Sequence, residues 1–431
     1  MRANRLNKLV VHAYETTPFY KELYDSLQID PYRIESEEDL QKLPIISKQM
    51  VRRNEEQMIS TAFSKDRLIV ERTSGSTGIP LYIYKSLTDK SQQGLSFWKK
   101  RKSQYGVDPS SKYCIFHLLG KASNINNAQA IVRDGNCLSL CRGKFTDEYL
   151  HQYAKAFIEF EPVWLFGGIQ SWWAFAKFME KNGYKPPSSI RFIESSGALI
   201  SEECRQNVSK FFNCQVVDGY GCREVYGVGY ECEYGNMHCL DDNVLVEIVE
   251  DGKNVPDGEE GDVVITAYHS KAMPFIRYLL GDRARFLKDY KCPCGCESKI
   301  IKLNQGRVSD LIEFDDGRQP LSASCIFFAI DVINRSKKYR IMQFKAIQEN
   351  YHDFSLYVEF DKKTCEFAGL DEFKQMFLHE MKKYDMDREN WFFYDVEDVT
   401  PSDTTGKLQY FRSKIVEARE NKNPTDGEKG K

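Results

Sequence analysis

The sequence has no long hydrophobic run and no excess of charge of one sign. No apolar stretch in its 431 residues approaches the roughly 20 residues that a membrane helix needs. The first residues, from Met1 to Arg5, lead into an amphipathic segment and not into a signal-peptide core. A formal net charge of -3 provides no basic field for nucleic acid or an anionic membrane. We therefore expect a cytoplasmic protein with no membrane span and no nucleic-acid partner.

The chain also has no internal repeat, and its composition is that of a globular protein. Hydrophobic residues make up 42% and charged residues 29%, which is enough apolar material for a core. At roughly 100–200 residues per domain, the length accommodates two or three domains. Thirteen cysteines are many for a reducing compartment, where clustered cysteines more often bind a metal than form disulfides.

Strand-like and helical runs alternate through the middle of the chain. Residues 163–166 and 190–194 have strand character, and each run precedes a helical pattern, near 169–182 and 201–212. This alternation predicts an α/β sheet. Residues 244–287 instead carry closely spaced turn signals, which predict hairpins.

The chain beyond residue 308 shows a compact pattern of its own. Helical runs near 322–334 and 370–384 alternate with strand-like runs. We predict a large N-terminal α/β domain of mixed sheets and helices at 1–308 and a small α+β C-terminal domain at 309–417. Residues 418–431 are charged and carry proline and glycine, which predicts a disordered tail.

A run of hydroxyl and glycine residues lies between two predicted strands at 73–80. Glycines let the backbone approach an anion closely, and hydroxyls add donors for phosphate oxygens. No Gly-Lys-Ser/Thr follows, so this is not a Walker loop. The run indicates a phosphate-binding loop, with a flexible turn as the alternative. Its candidate phosphate contacts are Thr73, Ser74, Gly75, Ser76, Thr77 and Gly78.

Four further segments each combine a charged residue with glycine. They are DGYGCRE at 218–224, RYLLGD at 277–282, GRVSD at 306–310 and PSDTTGK at 401–407. Each has an ordinary structural alternative when it is taken alone. These alternatives are a surface ion pair for Glu224, a turn residue for Asp282, a structural ion pair for Arg307 and a solvated side chain for Lys407.

Together, in this order, the five segments resemble the signatures of the adenylate-forming superfamily, which includes acyl-CoA synthetases, luciferases and peptide-synthetase adenylation domains. The resemblance covers residues 72–407. It implies a ligase that joins a carboxylate to AMP, with release of pyrophosphate. It also implies that ATP and Mg²⁺ bind between the N-terminal domain and a mobile C-terminal lid.

The resemblance assigns roles to the matching positions. It places the adenine against residues 218–220, Mg²⁺ on Glu224, the ribose hydroxyls on Asp282, and the ribose or α-phosphate on Arg307. Lys407 would be the mobile lysine that neutralises charge developing at the α-phosphate. The nucleotide contacts implied in the second segment are Asp218, Gly219, Tyr220 and Gly221.

Shorter matches resemble one branch of the superfamily, that of phenylacetate–coenzyme A ligases and CapK capsular-polysaccharide proteins. They are 12–14, 17–20, 43–48 and 292–295. The ligase side of the branch implies coenzyme A as the second substrate. The CapK side implies acyl transfer to an amine or hydroxyl of a surface-polysaccharide sugar. A non-catalytic nucleotide-binding protein is the third hypothesis, and a homodimer is one expectation for the assembly.

Cysteine and histidine cluster in two turn-rich segments. Thiolates and one imidazole suit a tetrahedral structural Zn²⁺. We predict the ligands Cys232, His238, Cys292 and Cys294, which is also where the branch resemblance places metal ligands. Cys239 and Cys296 are rival ligands, and a set of free thiols is the alternative.

The acyl pocket is inferred by analogy only. It would lie between two strand ends and be lined by Trp164, Phe166, Gly167, Gly168, Ser196 and Gly197. An aromatic cluster nearby has helical spacing, which is more typical of core than of a ligand cage; its members are Trp172, Trp173, Phe175 and Phe178. Two positions depart from the family pattern. Leu81 stands where many relatives have a lysine, with Lys85 the nearest one, and Ser309 replaces the usual hinge residue.

Overall fold

The computed structural model describes residues 2–72, 81–117, 129–142, 144–196, 202–303, 311–318, 321–336, 338–339, 341–360, 362, 367–397 and 411–415. Its helices are α1 Arg2–Thr16, α2 Pro18–Ser26, α3 Glu37–Leu40, α4 Lys48–Arg53, α5 Leu87–Tyr105, α6 Asp147–Phe160, α7 Ile169–Lys181, α8 Glu202–Phe212, α9 Ser324–Arg335 and α10 Leu370–Met381. No helix in these ranges is both long and apolar enough to cross a membrane.

The strands belong to several sheets. They are β1 Ile69–Arg72, β2 Tyr82–Lys85, β3 Tyr113–His117, β4 Ile131–Asp134, β5 Cys137–Cys141, β6 Trp164–Phe166, β7 Phe192–Ser196, β8 Gln215–Cys222, β9 Tyr226–Glu231, β10 Met237–Cys239, β11 Val244–Glu250, β12 Lys253–Asn254, β13 Gly261–Ala267, β14 Tyr278–Phe286, β15 Ile301–Leu303, β16 Leu311–Ile312, β17 Leu321–Ser322, β18 Ile341–Gln348, β19 Asp353–Phe360, β20 Asn390–Asp395 and β21 Phe411–Ser413.

The largest described sheet has the order β10-β9-β8-β7-β6-β3-β5-β4. The strands β5, β3, β6, β7 and β8 run parallel to one another, and antiparallel strands flank them at both ends, with β4 beside β5 and β9 beside β8. Apolar side chains of α6, α7 and α8 form one core against this sheet. The α/β alternation predicted from the sequence is confirmed. In such a sheet, ligands bind at the carboxyl ends of the parallel strands.

Helix α5 lies on the opposite side of this sheet, and local sequence signals set its ends. The Ser86 side chain accepts from the Asp89 amide, and the Asp89 carboxylate accepts from the Ser86 amide, which makes a capping box. The helix ends at Gly106, whose φ of +64° favours glycine. The helix carries Arg101, which pairs with Glu194 on β7 of this sheet, and Lys90, which pairs with Glu71 on β1.

A second sheet, β12-β11-β13-β14-β15, is antiparallel throughout. The hairpin between β11 and β12 turns at Asp251 and Gly252, which both have positive φ, as a tight hairpin turn requires. Helices α1 and α2 contribute to the core under this sheet. The hairpins predicted for residues 244–287 are confirmed.

The C-terminal elements form their own sheet, in the order β20-β19-β18-β21. Side chains of α9 and α10 pack with it in a core cluster built from residues 312–411. The α+β character predicted for this part of the chain is confirmed. The boundary between residues 308 and 309 and the disordered tail stay predictions, and the tail lies outside the described residues.

Candidate active site

The second and third sequence segments come together between the two large sheets. The Tyr220 hydroxyl, on β8, donates to Asp282 Oδ2 on β14 over 3.1 Å. The Tyr278 hydroxyl, on β14, donates to Glu224 Oε1 over 2.8 Å. Each segment thus supplies a tyrosine that orients the other segment's carboxylate. Because about 60 residues separate the partners, no local effect explains this convergence.

Glu224 lies at the tip of the hairpin between β8 and β9, and close backbone contact shapes that tip. A Cβ on Gly221 would lie 1.8 Å from the Tyr226 carbonyl oxygen, so only glycine fits there. Tyr226 itself has a φ of +60°, which is uncommon for a bulky residue. The Glu224 side chain is 5% exposed. Its carboxylate therefore has a fixed position, and a carboxylate has more acceptor sites than its bonds with Tyr278 and Cys222 use.

Asp218 lies on β8 among other carboxylates. Its amide donates to Glu231 Oε2 over 2.7 Å, and Glu231 also pairs with Arg205 over 3.0 Å. Burial raises the pKa of Asp218, the Glu231 charge raises it further, and Arg205 opposes them, for a value of about 7. Asp218 therefore changes its charge near neutral pH.

The raised pKa of Asp218 makes folding stability depend on pH. The folded state binds the Asp218 proton more tightly than the unfolded state does. The resulting contribution to the unfolding free energy is fully present when the pH is below the ordinary pKa of 3.8. It is lost as pH rises through about 7. We expect Asp218→Asn to lack this loss, so the variant gains unfolding free energy relative to wild type between pH 5 and pH 8, measured by urea denaturation. An equal change with pH in both proteins would contradict the assignment.

Part of the third segment is structural. The guanidinium of Arg277 pairs with Glu247 over 3.1 Å and donates to the Leu43 carbonyl over 2.6 Å. The backbone of Ile46 bonds to the residues on either side of Tyr278. Its amide donates to the Arg277 carbonyl, and its carbonyl accepts from the Leu279 amide. The N-terminal segment 43–48 therefore holds the start of β14.

The predicted acyl pocket maps to the adjacent carboxyl ends of β6 and β7. The Gly167 amide donates to the Glu194 carbonyl over 3.0 Å, which joins the two strand ends. Phe166, Gly167, Gly168 and Ser196 are all half-buried. Trp164 is 2% exposed and stacks on Tyr113, which are the contacts of a core residue. The described geometry therefore favours the half-buried residues as the pocket wall.

Other predicted contacts lie outside the described residues. They are Thr73, Ser74, Gly75, Ser76, Thr77, Gly78, Gly197, Arg307 and Lys407. The strands that flank the first of these segments are described, and β1 pairs antiparallel with β2, with Arg72 opposite Tyr82. The assignments of these residues stay predictions.

A family model described as "AMP-binding enzyme" matches residues 10–270, more than half of the chain. The chain belongs to the AMP-binding enzyme family. Curated relatives of this AMP-binding enzyme include phenylacetate–coenzyme A ligases. The Thermus thermophilus protein is 24% identical over 322 residues, which cover 72% of this chain and 71% of the relative. The Escherichia coli protein is 23% identical and covers 67% of each chain.

Solved structures agree on the fold of the AMP-binding enzyme. A 2-hydroxyisobutyryl-CoA ligase in complex with 2-HIB-AMP and CoA is 17% identical, with a TM-score of 0.64, and the match covers 98% of this chain and 91% of the other. An open conformation of that ligase gives a TM-score of 0.58 at 17% identity, over 93% and 89% of the two chains. The predicted adenylate-forming superfamily, its phenylacetate–coenzyme A ligase-like branch, the fold class and the enzymatic nature are confirmed.

The four predicted metal ligands of the AMP-binding enzyme lie together. Their donor atoms are within 4.8 Å of one another. Cys232 Sγ is 3.6 Å from Cys292 Sγ, and Cys294 Sγ is 3.2 Å from His238 Nε2. Thiolates at the usual zinc distance of about 2.3 Å in a tetrahedron lie about 3.8 Å apart, so the cluster has the size of a zinc site.

The surroundings of this cluster also suit a metal. His238 Nδ1 lies 3.1 Å from the Ser298 carbonyl, a contact that fixes the ring and leaves Nε2 toward the thiols. Burial opposes ionisation of Cys292, but bonds from the Cys294 amide and His238 outweigh it and lower the pKa of this thiol to about 6. The two rival thiols are not among these donor atoms. Cys239 packs in the apolar core, and Cys296 contacts the cluster only through its amide, which donates to Cys294 Sγ over 3.4 Å, while its own thiol accepts from Lys100 over 3.5 Å.

The sequence reasoning missed a buried ion pair beneath the pocket. Arg101, on α5, donates to both oxygens of Glu194 over 2.7 and 2.5 Å, and the Tyr230 hydroxyl donates to the same carboxylate over 2.8 Å. The guanidinium also lies 4.7 Å from the Trp164 ring centroid. No spacing in the sequence links these residues, so only the fold reveals the pair.

The sequence reasoning also missed an imidazole at the same sheet edge. His117 ends β3, and both of its ring nitrogens are buried without a hydrogen-bond partner in the described part of the chain. Burial lowers the pKa of His117, and the nearby Arg142 lowers it further. An imidazole with a lowered pKa therefore lies at the sheet edge where ligands of such sheets bind.

Proposed function

We propose that this enzyme joins a carboxylic acid to the AMP part of ATP, releases pyrophosphate, and then transfers the acyl group to coenzyme A. The observation that carries the proposal is the pair of reciprocal bonds, Tyr220 to Asp282 and Tyr278 to Glu224. It brings two distant segments with the family's nucleotide signatures to one place. Two oriented carboxylates beside a tyrosine suit a ribose diol and a nucleotide-bound cation.

The proposal gives each group one task in the adenylation step. The segment 218–220 holds adenine, Asp282 accepts from the ribose hydroxyls, and residues 73–78 donate to phosphate oxygens. Glu224 would hold Mg²⁺, which supplies positive charge to the phosphates. Arg307 and Lys407 place further positive charge at the α-phosphate as the substrate carboxylate attacks it. Electrostatic stabilisation of this kind carries most of the catalysis in such reactions.

The second step follows from the reported relatives. The curated relatives and the solved structure with a TM-score of 0.64 are named as coenzyme A ligases, which supports coenzyme A as the acyl acceptor. They give no support to a sugar acceptor. Single-turnover AMP release from enzyme, ATP and acid should accelerate when coenzyme A is added. Release that coenzyme A leaves unchanged would contradict the second step.

The proposal includes a mobile lid. Residues 309–417 would close over the nucleotide held by residues 1–308, and closures of this type occur in microseconds to milliseconds. Support comes from the separate apolar core that the described C-terminal elements build among themselves. A domain with its own core can move as a unit without exposing apolar surface.

We also propose that Cys232, His238, Cys292 and Cys294 hold a structural Zn²⁺. Three thiolates and one imidazole within 4.8 Å fit a closed tetrahedral site, in which zinc joins two loops. Such a site holds no open position for a substrate, so its role is in folding and not in the chemistry.

Metal analysis tests this assignment directly. Protein purified without chelator is expected to contain about one equivalent of zinc, since four protein ligands complete a structural site. Cys292→Ser should lose most of it, whereas Cys296→Ser, a thiol outside the cluster, should keep it. Less than a tenth of an equivalent in the wild-type protein would defeat the proposal.

A further inference from the structure

A buried lysine joins the two hairpins that flank the proposed phosphate site. The Lys85 side chain, at the end of β2, is 2% exposed. Its Nζ lies 3.1 Å from Glu71 Oε2 on β1 and donates to the Arg223 carbonyl over 2.7 Å. It also lies 3.6 Å from the ring centroid of Tyr226. These contacts use the ammonium fully inside the protein.

Glu71 completes the arrangement. Its Oε1 accepts from the Tyr226 hydroxyl, so the carboxylate contacts both the lysine and the aromatic ring that the lysine faces. Burial raises the pKa of Glu71, but the Tyr226 bond and the Lys85 charge outweigh burial and lower it. We call Glu71, Lys85 and Tyr226 the Lys85 clasp.

Stability alone is a weak reason for such a clasp. Removing two charges from water carries a large desolvation cost, and an apolar pair of the same volume often stabilises a protein equally well. A buried ion pair does, however, fix the geometry of the segments that carry it, and the segments here belong to the proposed ATP site.

The clasp connects the strand that leads into residues 73–80 with the hairpin that carries Glu224. Glu71 is the second-last residue of β1, and only Arg72 separates it from residues 73–80. The Arg223 carbonyl directly precedes Glu224, the proposed Mg²⁺ carboxylate. Tyr226, with its φ of +60°, forms the far side of the same hairpin tip. Strained residues of this kind persist only where surrounding contacts hold them.

We propose that the Lys85 clasp positions Glu224 relative to the phosphate loop and thereby sets the affinity of the enzyme for MgATP. Lys85 acts through the Arg223 carbonyl and is a positioning residue, because its donors are used inside the protein. The inference rests on the proposed function, since it assumes that ATP binds at this site. It assigns a role to Glu71, Lys85 and Tyr226, none of which belongs to the segments 73–80 or 218–224.

Steady-state kinetics in both substrates test the clasp. Lys85→Met is expected to raise the KM for MgATP about 10–100-fold, as is typical when a residue that orients a metal ligand is lost, with the KM for the carboxylic acid within about twofold of wild type. Tyr226→Phe keeps the ring and removes only the bond to Glu71, so it should raise the same KM to a smaller extent. The equilibrium Kd for MgATP should rise in the same order, more in Lys85→Met than in Tyr226→Phe.

Lys90→Met is the matched control. Lys90 pairs with the same Glu71 carboxylate over 3.0 Å, but its side chain is 45% exposed. Because the Lys90 ammonium is partly in water, its pair with the 10%-exposed Glu71 side chain contributes less than the buried Lys85 pair, so the KM for MgATP should stay within about twofold of wild type. Thermal unfolding of each variant shows whether it is folded. If Lys85→Met does not fold, Tyr226→Phe tests the inference in its place.

Two results would overturn the inference. One is an unchanged KM for MgATP in folded Lys85→Met and Tyr226→Phe. The other is an equal rise in the KM for both substrates, which would indicate general loosening. Failure of the proposed function is distinguishable, because a wild-type protein without carboxylate-dependent ATP turnover would fail before any variant is compared.

Discussion

Replacement of Lys407 by alanine is expected to slow adenylation by at least ~100-fold. One positioned donor at a site of developing charge is typically worth ~2.7–4 kcal/mol, because the α-phosphate gains negative charge as the carboxylate attacks it. The resemblance of residues 401–407 to the family's C-terminal signature assigns this role to Lys407. ATP–pyrophosphate exchange at saturating acid measures the step without interference from the second substrate.

The control for this variant is Lys414→Ala. Lys414 lies a few residues further along the chain, pairs with Glu349 and has a side chain that is 53% exposed. We expect its exchange rate to match wild type within about twofold, because exposed ion pairs contribute little. Exchange at a near wild-type rate in Lys407→Ala would remove this lysine from the mechanism.

Breaking the Arg101–Glu194 pair is expected to cost about 3–5 kcal/mol of unfolding free energy. Arg101→Met leaves a carboxylate that is 1% exposed without its cationic partner, and Tyr230 alone cannot compensate the buried charge. Glu194 also joins the ends of β6 and β7, so the loss should destabilise the sheet edge that carries the acyl pocket. Urea denaturation followed by tryptophan fluorescence measures it.

Two comparisons make this result specific. The double variant Arg101→Met/Glu194→Leu should lose much less than Arg101→Met alone, because no unpaired charge stays buried. Arg133→Met removes a pair with Glu159 in which the side chains are 45% and 70% exposed, and it should change the unfolding free energy by less than about 1 kcal/mol. Equal losses in Arg101→Met and Arg133→Met would contradict the account.

The sequence predicted the elements whose signals are local. Periodicity placed α7 and α8 after their strands, and turn residues placed the hairpins of residues 244–287. The same reasoning assigned the aromatic cluster of α7 to the core. Trp172, Phe175 and Phe178 are buried, as expected, whereas Trp173 is half-buried and packs at the edge of the same core. These predictions hold because each depends only on residues within a few positions of one another in the sequence.

The sequence did not predict how side chains from distant segments pair. Arg101 and Glu194 lie 93 positions apart, and Lys85 lies 138 positions from the carbonyl that it contacts. Nothing in the spacing of charges distinguishes such partners from solvated side chains. Tyr220 and Tyr278 belonged to recognised segments, but their exchange of partners depends on how β8 and β14 meet. The four residues proposed as metal ligands could be selected from the sequence because thiols and an imidazole grouped in two turn-rich segments form a chemically selective donor set.

Carboxylate-dependent ATP–pyrophosphate exchange by the wild-type protein tests the central claim most directly. A panel of aliphatic and aromatic acids is supplied with ATP, Mg²⁺ and labelled pyrophosphate, without coenzyme A. At least one acid is expected to drive exchange well above the rate without acid, and Glu224→Gln should reduce that rate. Tight ATP binding with no exchange for any acid in the panel would contradict adenylation and leave a nucleotide-binding protein.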